Sequence, residues 1–139
     1  MAKVFLGGTL GGSKWREELI RMLKIGYFNP DLGDPSLWTE KAQQKEAKAR
    51  ETCEYRLFWF TPEIKGVFAI AELIDESNKR PTGTLFGFDV ISTIDPELKL
   101  SLELVKSLAA VGRMVERNGG RWFKTLSEVA TYLNERNHR

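Results

Sequence analysis

Hydrophobic and polar positions in this chain switch repeatedly between a period of two and a period near 3.6, and the clearest switch is in the middle. Tyr55, Leu57, Phe58, Trp59 and Phe60 form a run of large β-formers, too apolar on both faces for a strand half open to water. Such a run predicts a central strand of a parallel sheet covered by helices on both sides. Thr61 and Pro62 stop it, and Glu63, Ile64 and Lys65 make a short turn. From Gly66 onward Val67, Ile70, Ala71 and Ile74 recur at helical spacing and predict a helix with that inner stripe.

The flanking pattern repeats the same alternation. Lys3–Leu6 reads as a short buried strand entering GGTLGGSKW, with Ser13 as N-cap of a helix whose stripe is Trp15, Leu19, Met22 and Leu23, ending near Gly26. Tyr27–Asn29 is a second strand stopped by Pro30. A loop from Asp31 to Ser36 leads to Trp38, and Thr39–Glu51 is a charged helix with few apolar anchors. After the central helix, Arg80–Gly83 is a turn and Thr84–Phe88 a fourth strand. Asp95-Pro96 reads as a helix start, continuing through Leu100, Leu104, Leu108 and Val111 to Gly119. Arg121–Phe123 is a short edge strand, and Thr125-Leu-Ser-Glu128 matches a capping box for a last helix facing inward with Leu126, Val129, Ala130 and Leu133. The βα alternation predicts a three-layer α/β/α domain over residues 1–139. Its five parallel strands take the flavodoxin-like, Rossmann-like order 2-1-3-4-5, with strands one and three at the switch point.

Composition narrows the chemistry. With 21 Lys+Arg against 19 Asp+Glu the net charge of +2 gives no reason to invoke nucleic acid or an anionic membrane. One cysteine, Cys53, excludes an intramolecular disulfide and a cysteine-rich zinc site, and reads as a small apolar group in a reducing compartment. The single histidine, His138, is next to last and reads as frayed, which removes histidine triads and histidine metal clusters. MAKVFLGG has no long apolar core of a signal peptide and no run is long enough to span a bilayer, so the reading is a soluble, cytoplasmic protein.

Glu72 is the sharpest chemical feature. It sits one residue off the apolar stripe of the central helix, and helical side chains tilt toward the N-terminus, so its carboxylate points at the carboxyl-end rim where open α/β sheets bind ligands. A solvated helix residue is the plain alternative; the apolar neighbours Ala69, Ile70, Ala71, Leu73 and Ile74 argue for partial enclosure, which calls for a partner or a task. The loop Gly7–Gly12 has the glycine spacing of a phosphate loop, but Ser13-Lys14-Trp15 lacks its GK[ST] ending. A tight turn needing glycine explains one or two of these glycines more easily than all four. Trp38 suits either a pocket wall or a core cap, and nothing local singles out Glu46 from its charged helix.

A receiver domain needs an aspartate after strand three, where this chain has Thr61-Pro62, and a flavodoxin needs more hydroxyls than Thr9 and Ser13 supply. FLGGT, the helix with Trp15, Glu17, Glu18 and Leu19, FNP at Phe28–Pro30, FWFTPEIKGVFAIAEL and TLSEVATYL together resemble the nucleoside 2-deoxyribosyltransferase family, in its short deoxyribosyltransferase-like branch. The resemblance covers nearly the whole chain, and FTPE…AEL is its most specific part. It implies that Glu72 is the nucleophile at the anomeric carbon and that Glu46 contacts the base. It also implies that Gly7, Gly8 and Thr9 line the sugar site and that Asn29, Asp31 and Trp38 belong to the substrate loop. The implied partner is a small-molecule nucleoside or nucleotide, handled without metal or cofactor, by a dimer or larger assembly. The chain departs from the family's pattern at Gly66, in place of an aspartate, and at Phe5, in place of a tyrosine.

Overall fold

The computed structural model describes residues 2–136; His138 lies outside the described residues. Strands β1 (Lys3–Gly8), β2 (Gly26–Phe28), β3 (Tyr55–Phe60), β4 (Thr84–Phe88) and β5 (Arg121–Trp122) pair in parallel in the order β2-β1-β3-β4-β5. The helices are α1 (Trp15–Met22), α2 (Glu40–Thr52), α3 (Phe68–Lys79), α4 (Leu102–Arg117) and α5 (Leu126–Glu135). This is the flavodoxin-like three-layer arrangement that the alternation predicts.

β3 organises the packing because all six of its residues are buried. Its two-residue period sends Tyr55, Leu57 and Trp59 to one face, where they meet Trp15 and Leu19 of α1 and Val129 and Leu133 of α5. Phe58 and Phe60 go to the other face, against Leu73 of α3 and Leu108 and Val115 of α4. Each such side chain contributes about 1.5–3 kcal/mol by leaving water, so the sheet is held from both sides rather than by its edges. Cys53 is buried and free, at the C-cap of α2. Among the described residues no helix is long and apolar enough to cross a membrane.

Four boundaries differ from the pattern's expectation. Asp95-Pro96 starts a turn, not a helix: Asp95 accepts from the N–H groups of Leu98 and Glu97, and Ile91 bridges Lys99 in antiparallel fashion. Proline suits a turn as well as a first helical turn, and here the actual cap is Ser101, whose Oγ accepts from Leu104 N–H at 3.1 Å. At α1 the cap position falls on Lys14, which makes no side-chain bond, while Ser13 one residue earlier accepts from Trp15 N–H through its Oγ at 3.4 Å. Trp15 Nε1 and Arg16 Nη1 both donate to the Thr9 carbonyl, anchoring the helix start to the end of β1. α1 stops at Met22, which is exposed, and Gly26 already belongs to β2. Finally, α3 begins at Phe68 and turns inward with Leu73, Glu76 and Ser77, leaving Val67 and Ala71 exposed. Ile70 and Ile74 are only partly buried. The capping box at Thr125 forms as predicted, with Thr125 Oγ1 accepting from Glu128 N–H at 3.1 Å.

Candidate functional site

At the carboxyl ends of β1 and β3 a cavity of about 480 Å³ opens between α2 and α3. Its size is in the range of pockets that enclose small organic ligands. Gly7 and Gly8 line it from β1 and Thr9 from just beyond, Glu46 and Arg50 from α2, and Glu72 from α3. Trp38 joins it to a neighbouring hollow lined by Asp31. Asn29 lines neither; its Oδ1 accepts from Asp31 N–H at 2.9 Å and shapes the loop. The geometry therefore brings six of the eight predicted site residues to one cavity, puts Asp31 next door and gives Asn29 a local structural bond.

The β1 loop is dictated first by the sheet. Gly8 has φ +105°, and a Cβ there would lie 2.0 Å from the Trp59 carbonyl oxygen, so any side chain would push β1 off β3. Thr9 is buried; its N–H donates to Trp59 O at 3.0 Å and its Oγ1 accepts from Thr61 N–H at 3.0 Å. These contacts seal the two strand ends together. Gly7 would strike the Phe58 ring, and Gly11 and Gly12 have positive φ, so the turn and the packing account for all four glycines.

Glu72 is partly buried and bonded to Arg50, whose Nη1 donates to Glu72 Oε2. Arg50 is itself forked: its Nε lies 3.3 Å from Glu76 Oε1. Glu76, only 1% exposed, also takes both bonds of Arg80 at 2.8 Å and faces Arg56 Nε at 3.2 Å. Arg56 in turn donates to the carbonyls of Arg50 and Cys53, tying the end of α2 to β3. Three guanidiniums thus converge on one buried carboxylate, and one of them reaches on to the cavity.

The two cavity carboxylates are poised differently from exposed ones. Burial raises the pKa of Glu72, and Glu76 raises it further, while Arg50 pulls it down without fully offsetting the burial. Burial and Glu72 likewise raise Glu46, against the pull of Arg50 and Arg16. A group that must be ionised to act gives activity that rises with pH through its pKa, so the acid limb should lie above the ordinary glutamate value of 4.5. Arg50→Gln removes the cation that lowers this pKa, and the limb should move to higher pH. A pH–rate profile with an unmoved or lowered acid limb would show that Arg50 does not govern the ionisation of Glu72.

Compared with protein-family models, with curated proteins and with solved structures, the chain gives no match. Two features of the site escape the sequence pattern: the Glu76 network and Arg16, a buried arginine at the second position of α1 that also lines the cavity. A signal for the first exists, since Arg56 in a strand buried on both faces demands a buried acid.

Proposed function

We propose that this chain acts on the N-glycosidic bond of a nucleoside or nucleotide in the manner of the nucleoside 2-deoxyribosyltransferases. The supporting observation is a partly buried carboxylate, Glu72, held by an arginine in a ligand-sized cavity beside an aromatic ring, Trp38, and a second acid, Glu46. As the C1′–N bond breaks, the sugar becomes oxocarbenium-like and the base leaves with the bonding electrons. Glu72 stabilises that cation or closes on C1′ to form a glycosyl ester. An incoming base nitrogen then displaces Glu72 to give transfer, or water does so to give hydrolysis. Glu46, whose pKa burial and Glu72 raise, suits a hydrogen bond to the base.

A second reading, a nucleotide-binding domain without turnover, is favoured by Phe5 and Gly66. The Phe5 ring stacks on Phe28 at 5.9 Å and offers the cavity no hydroxyl, and a side chain at Gly66 would meet open space where an acid could stand. Incubation with a nucleoside and nucleotide panel, with and without a free acceptor base, separates the readings. Exchanged nucleoside means transferase, free sugar means hydrolase, and binding without product means the second reading. A protein that neither binds nor converts any member refutes both.

Self-association belongs to the same proposal. Val67 and Phe68, at the start of α3, are 77% and 74% exposed, and Phe68 lines the cavity, so a second copy would cover apolar surface and help close the site. Light scattering should give the mass of a dimer or larger, and Phe68→Asp should shift it toward the monomer. A monomeric wild-type mass at high protein concentration would overturn this.

A further inference from the structure

We propose that the cavity contains a phosphate subsite and that Arg16 is the residue that binds it, so that the ligand is a phosphate ester rather than a free nucleoside. This rests on the reading of the cavity as a nucleoside or nucleotide site and narrows its substrate class. Arg16 is only 5% exposed. Its Nε donates to Leu6 O at 3.0 Å, its Nη1 donates to Thr9 O, and its plane lies over the Trp15 ring. Its Nη2 is buried and has no hydrogen-bond partner among the described residues. The side chain is therefore fixed by carbonyls and an aromatic ring, it lines the cavity, and its buried Nη2 is left without an acceptor.

The charge is only loosely paired. The carboxylate nearest to it, Asp31 Oδ2, stands 4.0 Å from Nη1, beyond hydrogen-bond reach. Burial lowers the Arg16 pKa to about 10, despite the opposing pull of Asp31 and Glu46. The same Asp31 oxygen lies 3.4 Å from the Gly11 N–H, so a single oxygen reaches loosely toward both the guanidinium and the loop. A phosphate monoester presents three terminal oxygens and can bond a guanidinium and a backbone N–H at once. Lys65 adds a further positive charge at the cavity. Asp31 is the competitor for that position, while its other oxygen, Oδ1, is fixed by the Gly33 N–H at 3.0 Å.

Calorimetric titration of the full chain with each deoxynucleoside and its 5′-monophosphate, and with ribose 5-phosphate and inorganic phosphate alone, tests this. At least one monophosphate should bind about tenfold or more tighter than its nucleoside, the gain of a charge-assisted pair. Arg16→Gln should erase the difference, but Arg16 also braces the β1 loop, so the decisive variant is Asp31→Asn. It retains the bond to Gly33 and removes the competing charge, and should raise the preference for monophosphate over nucleoside by about threefold or more. Equal affinities for nucleoside and monophosphate, or an Asp31→Asn protein that gains nothing, would overturn the phosphate subsite. Conversion of free nucleosides with no phosphate preference would overturn it while leaving the glycosidic reading standing. Binding of ribose 5-phosphate or inorganic phosphate, with every nucleotide rejected, would uphold the subsite and refute the nucleotide reading.

Discussion

Glu72→Ala should fold as the wild type does, bind substrate with near wild-type affinity and lose turnover by several orders of magnitude. In the proposed mechanism the carboxylate acts on charge that develops only as the glycosidic bond breaks, so its removal should lower kcat rather than weaken ground-state binding. Stability should change little, because burial already disfavours its ionised form and Arg50 keeps its contact with Glu76. Glu72→Gln retains the shape but is a poor nucleophile, and should be nearly as inactive. Glu46→Ala should instead raise KM and blur base preference. Steady-state kinetics beside thermal melts separate these effects, and an active Glu72→Ala protein would refute the proposed mechanism.

Glu76→Ala should act in the opposite sense, on the fold. It removes the one carboxylate shared by Arg50, Arg56 and Arg80, and leaves Arg56 buried without a counter-charge. Breaking a buried pair from one side costs about 3–5 kcal/mol, a large share of the roughly 5–15 kcal/mol that keeps a domain folded. Urea unfolding should show the loss as a lower midpoint. A loss under about 1 kcal/mol would mean that water reaches and satisfies the three guanidiniums.

The sheet was legible in the sequence because burial on both faces leaves a mark no other arrangement makes. β3 is apolar at every position but Arg56, and α5 keeps its four inward residues in register with its capping box. Local signals that serve two purposes misled: Asp-Pro opens turns and helices alike, and only the Ser101 cap marks the true start of α4. The α3 stripe was misread because its inner face includes Glu76 and Ser77, polar residues that a hydrophobic period cannot register. The convergence of Gly8, Glu46 and Glu72 on one cavity follows from strand order. Arg16 and Glu76 take their meaning from groups distant in the chain, such as Asp31 and Arg50, and no local window contains them.

α2 has no buried residue, yet it supplies Glu46 and Arg50 to the cavity. Its hold on the sheet comes largely through polar contacts at its C-terminal end, where Arg56 and Glu76 engage it. The helix should therefore open locally more often than α5, and its amide hydrogens should exchange with solvent sooner. A ligand seated against it would slow that exchange most of all, since part of the binding energy would go into fixing this wall. Exchange in α2 as slow as in α5, with the cavity empty, would show the helix to be more firmly held than its burial implies. If α2 opens as expected, the side of the site proposed to meet the base would be formed fully only when the base is there.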